Sequence, residues 1–153
     1  MRKIFTVILL LLLIVLIVIQ FFQPEKNYKE TTTESFAFQM EVPETVKKYL
    51  VNSCFDCHSN QTRYPWYGRV APVSWILNKH ITEGKENLNL SEWGQYSKRK
   101  QIGLLNEICE SVSDRSMPLK SYVSVHKDAE LFDFEIEEIC AWTEEAAKNL
   151  MNN

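Results

Sequence analysis

The first 22 residues of the chain are far more hydrophobic than the rest. After Arg2 and Lys3, the run 4–22 is apolar except for Thr6 and Gln20. A helix over this run, rising about 1.5 Å per residue, is about 28 Å long, close to the hydrocarbon thickness of a bilayer. The pattern predicts a membrane-spanning helix, and the basic residues before it predict that the remainder of the chain lies across the membrane.

A cleaved signal peptide is the alternative for residues 1–23. Such a peptide needs small residues just after the apolar run, but bulky Phe21 and Phe22 stand there, and the nearest small-x-small triplet is 35–37. We therefore expect an uncleaved, single-pass anchor in the cytoplasmic membrane. Both alternatives export the C-terminal part of the chain, which we expect on the periplasmic side.

Beyond the apolar run the pattern changes twice. Residues 24–40 are mostly polar, which predicts a flexible tether. In residues 41–153, apolar positions recur at helical spacing in four segments with start or stop signals. The predicted helices run from Pro43 to Ser53, from Pro72 to Gly84, from Glu92 (with Ser91 as N-cap) to Val112, and from Asp133 to Leu150. The sequence thus predicts an all-α fold, a small helical domain behind an N-terminal transmembrane helix.

Composition excludes several classes of function. The chain has 153 residues and a net charge of −3 with both signs mixed, so no basic surface for nucleic acid is expected. The sequence contains no P-loop, Ser-His-Asp set or paired-carboxylate motif, and we expect that it is not an enzyme. Four cysteines are also too few for a disulfide scaffold.

The segment Cys54-Phe55-Asp56-Cys57-His58 is a C-x-x-C-H motif, the attachment signature of a c-type haem. Two thiols one helical turn apart can each form a thioether bond with a vinyl group of one porphyrin. The following histidine can then reach the iron from the same side as the proximal ligand. The motif predicts one covalent haem c held by Cys54, Cys57 and His58.

A redox dithiol and half of a zinc site are the alternatives for this motif. A dithiol is expected within a βαβ unit, and the predicted helices do not provide one. A zinc site needs a second pair of ligands, for which only the scattered Cys109, Cys140, His80 and His126 remain.

Met117 is the first candidate for the distal iron ligand. It lies in the helix-breaking segment 114–120, about sixty residues after the motif and before the last predicted helix. A thioether ligand would raise the reduction potential, and a second imidazole would lower it. His80 and His126 are the alternatives, and an open or water-bound iron is a further one.

Two pairs of residues have open roles. Either Arg63 or Arg69 could pair with a haem propionate, although exposed arginines are commonly just solvated. Cys109 and Cys140 could form a disulfide in an oxidising compartment, or each could be a small buried hydrophobic residue.

A longer stretch of the chain resembles a known family. CFDCHSNQTRYPWYGRVAPVSWILNKHITEGKENLNLSEW (54–93) and MPLKSYVSVHKDAEL (117–131) are similar to the small bacterial haem-binding domains, which carry one C-x-x-C-H. The resemblance implies haem attachment at Cys54 and Cys57 with His58 as ligand. The order of helix, motif, helices, Met-Pro loop and terminal helix is similar to that of single-haem class I cytochromes c.

Three functions are compatible with these observations. The first is mono-haem electron transfer by an exported, membrane-anchored protein that contacts the membrane through residues 4–22 and a redox partner protein. The second is a haem-based sensor or small-ligand binder, or an accessory haem subunit of an oxidative enzyme. The third is a haem-free zinc or structural module.

Overall fold

Helices form the regular structure of this protein. The computed structural model describes residues 1–29 and 35–152, without the side chains of 37 and 38. The α-helices are α1 (Arg2–Ile19), α2 (Phe36–Gln39), α3 (Glu44–Ser53), α4 (Phe55–His58), α5 (Val73–Asn87), α6 (Lys98–Ser113), α7 (Lys120–Val123) and α8 (Asp133–Asn152). Short 3-10 turns cover Trp66–Arg69, Leu90–Gln95 and Lys127–Ala129. Within the described ranges no strand is present, and the predicted all-α fold is confirmed.

Helix α1 is the predicted hydrophobic segment. Its 18 residues have a mean hydropathy of 2.9, and none of them is buried against the rest of the protein. By length and composition it is a helix that could cross a membrane.

Two predicted helix boundaries are wrong. The third predicted helix does not begin at Ser91: residues Leu90–Gln95 form a 3-10 turn, and α6 begins after Ser97, whose hydroxyl accepts the Lys100 N–H. The second predicted helix does not end at Gly84 but continues to Asn87. Gly84 serves close packing in the helix interior rather than a C-terminal cap, as the contacts described below show.

The core lies between α6 and α8 and is closed by α3 and the turn around Trp93. Its fully buried members include Leu105 of α6, Ile139 of α8 and Trp93. Phe36 also belongs to it: only 2 % of its surface is exposed, and its ring packs edge-on against Trp93 and Trp142. Burial of one large aromatic ring contributes about 2–3 kcal/mol.

Phe36 lies inside the segment 24–40 that was predicted as a flexible tether. At the other end of that segment, the Asn27 amide donates to the Ser59 carbonyl and the Thr62 hydroxyl. These described residues pack on the helical domain, so they do not form a free tether. The remainder of the segment, 30–34, lies outside the described residues.

A disulfide joins Cys109 of α6 to Cys140 of α8. Of the two alternatives for these cysteines, the structure contains the disulfide. The bond links the two helices between which the core lies. Because both sulfur atoms belong to the disulfide, neither cysteine is a candidate ligand for a metal.

Candidate functional site

Helix α4 is a single turn that carries the C-x-x-C-H motif. The N–H groups of Cys57 and His58 both donate to the Cys54 carbonyl, at 3.2 and 2.9 Å. This turn places Cys54, Cys57 and His58 side by side, and all three residues line one cavity. The sequence predicted this juxtaposition from spacing alone.

The cavity has a volume of about 920 Å³. Its walls come from α4, α5, α6 and the segment from Met117 to Val125, and they are mostly apolar. The aliphatic residues that line it are Val73, Ile76, Leu77, Leu88, Leu104, Ile108, Val112, Leu119 and Val125. A cavity of this size and polarity is at the upper end of the range for cofactor sites.

His58 is oriented by the backbone. Its Nδ1 lies 3.0 Å from the Leu88 carbonyl oxygen. Because a carbonyl can only accept, the proton must be on Nδ1, and the lone pair is then on Nε2. Burial lowers the pKa of His58, although hydrogen bonds to the Leu88 and Gly84 carbonyls oppose this shift. The imidazole is therefore held in one orientation, with the Nε2 lone pair available for a metal.

Gly84 lets α5 approach this turn closely. A Cβ at position 84 would lie 2.7 Å from the Cys57 carbonyl oxygen and 3.2 Å from the Cys57 Cβ. Only glycine fits there without a shift of one of the two backbones. The same contact brings Leu88, one helical turn further on, within reach of His58.

The two motif thiols are protonated near neutral pH. Burial raises the pKa of Cys54 to about 12, and burial followed by the charge of Asp56 raises the pKa of Cys57 to about 11. A redox dithiol needs a thiolate with a lowered pKa. Moreover, within residues 1–29 and 35–152, no three His, Cys, Asp or Glu side chains cluster tightly enough to hold a metal ion. Neither alternative for the motif gains support from the structure.

Asp56, between the two cysteines, is buried and fixes the loop that follows. Its carboxylate accepts from the backbone N–H and the guanidinium of Arg63, at 3.0 and 3.1 Å, and from the Tyr122 hydroxyl at 2.8 Å. Burial and then the Asp56 carboxylate raise the pKa of Tyr122, so its hydroxyl remains a donor. Arg63 also donates to the Val51 carbonyl. Among the described residues that line the cavity there is neither Arg63 nor Arg69, and the propionate role suggested for them is not supported.

The three candidates for a distal ligand occupy different places. Met117 and His80 line the cavity, so either side chain belongs to the same enclosure as His58. His126 is not among the lining residues. Its ring stacks on Tyr122 with centroids 4.2 Å apart, and its Nε2 lies 3.1 Å from the Tyr67 hydroxyl. The structure thus separates His126 from the cavity and keeps Met117 and His80 together with the motif.

Sequence reasoning missed several residues of the site. Tyr122 lines the cavity, Leu88 supplies the carbonyl for His58, and Gly84 permits the helix contact. Only Gly84 carried a signal, because a glycine inside an apolar helical pattern commonly has a packing reason. The others depend on which backbone segments meet in space.

The residues present fit a haem. An apolar cavity of about 920 Å³ encloses two neutral thiols and an imidazole that offers Nε2, with a thioether and a second imidazole also in its wall. Fold and site together define a small helical haem-binding protein. A family model described as haem-binding domain matches residues 14–145, and the chain belongs to this family. The chain shows no match to a curated protein or to a solved structure.

Proposed function

We propose that this protein is an exported, membrane-anchored cytochrome that holds one covalent haem c and transfers electrons. The observation that carries the proposal is the single-turn helix α4, which presents two thiols and an oriented imidazole to one apolar cavity. When bound, the haem would supply reversible one-electron chemistry at its iron. The chain contributes binding, orientation and exclusion of water, and no catalytic residue of its own.

Each residue of the motif has a defined task in this proposal. Cys54 and Cys57 would hold the haem through thioether bonds, each formed by addition of a thiol across one vinyl group. His58 donates its Nδ1 proton to Leu88 and would bind the iron through Nε2. The Leu88 carbonyl fixes the ring and increases the basicity of the ligand. Asp56 holds Arg63 and Tyr122 and thereby keeps the turn in place.

Met117 is the proposed distal ligand. The cavity wall around it is mostly aliphatic, and a thioether stabilises ferrous iron, which suits an electron carrier of raised potential. His80 lies in the same cavity and is the alternative ligand. His126, which does not line the cavity and lies within hydrogen-bond distance of the Tyr67 hydroxyl, is assigned no ligand role.

Anchoring and export rest on α1. Arg2 and Lys3 before the apolar helix favour a cytoplasmic N-terminus, which takes residues 24–153 to the periplasmic side. This compartment suits both haem c attachment and the Cys109–Cys140 disulfide, because disulfides form in oxidising surroundings.

The test is expression of the full chain together with a cytochrome c maturation system. We expect visible absorption that stays with the denatured, acid-extracted polypeptide, and an added porphyrin mass. The variant Cys54→Ser with Cys57→Ser should lose both, whereas Cys109→Ser with Cys140→Ser should keep them. A colourless wild-type polypeptide would refute the covalent haem.

The distal ligand is tested with Met117→Ala, His80→Ala and the control His126→Ala. We expect only Met117→Ala to change the ferric and ferrous spectra and to lower the reduction potential. If carbon monoxide shifts the reduced wild-type spectrum, the sixth position is exchangeable, and the sensor or small-ligand function replaces electron transfer.

A further inference from the structure

An exposed apolar surface stands at the start of α5. It consists of Trp66, Val70 and Trp75, and we refer to it as the aromatic face. Trp66 is 80 % exposed, and the other two are each at least 40 % exposed. Exposed apolar residues on one segment of a small domain commonly mark an interaction site.

Hydrogen bonds attach this surface to the end of α1. The Gln20 side-chain amide donates to the Ala71 carbonyl at 3.0 Å and accepts the Ala71 N–H at 2.9 Å. The Trp75 indole N–H donates to the Phe22 carbonyl at 2.6 Å. The aromatic face therefore lies beside the residues with which the apolar run ends.

The length of the apolar run 4–22 determines how deep in the bilayer the aromatic face lies. If residues 4–22 span the hydrocarbon core, Gln20 and Phe22 lie at its far boundary, because the run and the core are both about 30 Å long. Residues bonded to them must lie at the same level. Tryptophan is enriched at this level, where the indole ring is apolar and its N–H finds a polar partner.

The charge of the segment fits the headgroup layer. Residues 59–82 contain Arg63, Arg69 and Lys79 but no aspartate or glutamate, whereas the whole chain has a net charge of −3. Because Arg63 is paired with Asp56, Arg69 and Lys79 are the cations considered for this surface. Arg69 is exposed between Trp66 and Val70. Lys79 is exposed as well and forms an ion pair with Glu83. A basic, aromatic surface complements anionic phospholipids.

We infer that the aromatic face lies on the periplasmic leaflet of the membrane that α1 crosses, with anionic phospholipid as its partner. The inference rests on the proposed membrane anchor. A domain docked in this way has one orientation on the membrane, instead of the free movement that a flexible tether would allow.

The experiment is photo-crosslinking of the full chain in phosphatidylglycerol vesicles, with p-benzoylphenylalanine (Bpa) at one position at a time. Position 66 tests the aromatic face, and its exposure lets the probe replace Trp66 without loss of core packing. Position 21, inside the proposed span, tests the anchor. Phe134 is the matched control, because it is an exposed aromatic residue too, but it stands among Asp133 and Glu135.

We expect lipid adducts, detected by mass, for Trp66→Bpa and Phe21→Bpa, and several-fold fewer for Phe134→Bpa. If position 21 gives lipid adducts but the adduct yield at position 66 is no higher than at position 134, the docking of the aromatic face is refuted and the membrane anchor is retained. No adducts at 21 would overturn the anchor and the docking with it. Equal yields at 66 in phosphatidylglycerol and phosphatidylcholine vesicles would overturn the assignment to anionic lipid.

Discussion

The contact between Gly84 and Cys57 allows a sharp test of how the site is built. In Gly84→Ala the new Cβ would stand 2.7 Å from the Cys57 carbonyl oxygen, about 0.7 Å inside the 3.4 Å at which ordinary contact begins. The obstacle is backbone, so rotation of a side chain cannot relieve it. Helix α5 must move away from α4, and the Leu88 carbonyl moves with it away from His58.

Two opposing effects determine how much Gly84→Ala changes the free energy of unfolding. Alanine is favoured over glycine inside a helix by about 1 kcal/mol, whereas overpacking against a fixed neighbour costs about 1–3 kcal/mol. The two terms leave about 0–2 kcal/mol, and we expect Gly84→Ala to lower the free energy of unfolding by about 1 kcal/mol. Gly103→Ala in α6 is the matched control: no atom lies within 4 Å of its added Cβ, and its φ is not positive. It should raise the stability by about 0.5–1 kcal/mol.

Thermal unfolding of the full chain in detergent, followed by far-UV circular dichroism, measures both variants. The two Tm values should differ by roughly 5–8 °C, with the wild type between them. The haem content per chain should fall in Gly84→Ala and stay unchanged in Gly103→Ala. Equal stability and equal haem content of the two variants would refute the argument that α5 and α4 need this close approach.

Three further variants probe the scaffold around the cavity. Replacing Cys109 and Cys140 by alanine opens a loop with a sequence separation of 31 and should lower stability by about 2–4 kcal/mol, measured by urea unfolding without reductant. Asp56→Asn leaves Tyr122 without a charged acceptor and should lower stability by about 1–2 kcal/mol in the same assay. The loss of the ion pair with Arg63 adds little to this value, because Arg63 is half-exposed and water screens its charge. Phe36→Ala should lower it by about 3–5 kcal/mol, although the residue lies in the segment predicted as a tether.

Each of these three variants has a control that identifies the cause of its lower stability. With reductant present, wild type and the cysteine double variant should unfold at similar urea concentrations. Glu44→Gln changes a carboxylate whose side chain is 87 % exposed and should leave stability unchanged. Phe132→Ala removes an exposed ring and should change stability far less than Phe36→Ala. A Phe36→Ala protein as stable as Phe132→Ala would show that the core ends after residue 36.

Local patterns carried much of the information about this protein. The spacing of apolar residues predicted α3, α5, most of α6 and α8, because helical periodicity is a property of a few consecutive turns. The boundaries at Ser91 and Gly84 were wrong for the same reason. A hydroxyl or a glycine is only a candidate cap until the neighbouring chain shows which group it meets.

The sequence by itself determined the apolar helix α1, the helical domain and the motif turn with Cys54, Cys57 and His58. All of these are encoded within short stretches of chain. Only the tertiary structure decided the rest: the Leu88 carbonyl that orients His58, the placement of Phe36 in the core, and the removal of His126 from the cavity. These features join residues that are thirty or more positions apart, and the spacing of residues along a sequence does not specify which distant segments will pack together.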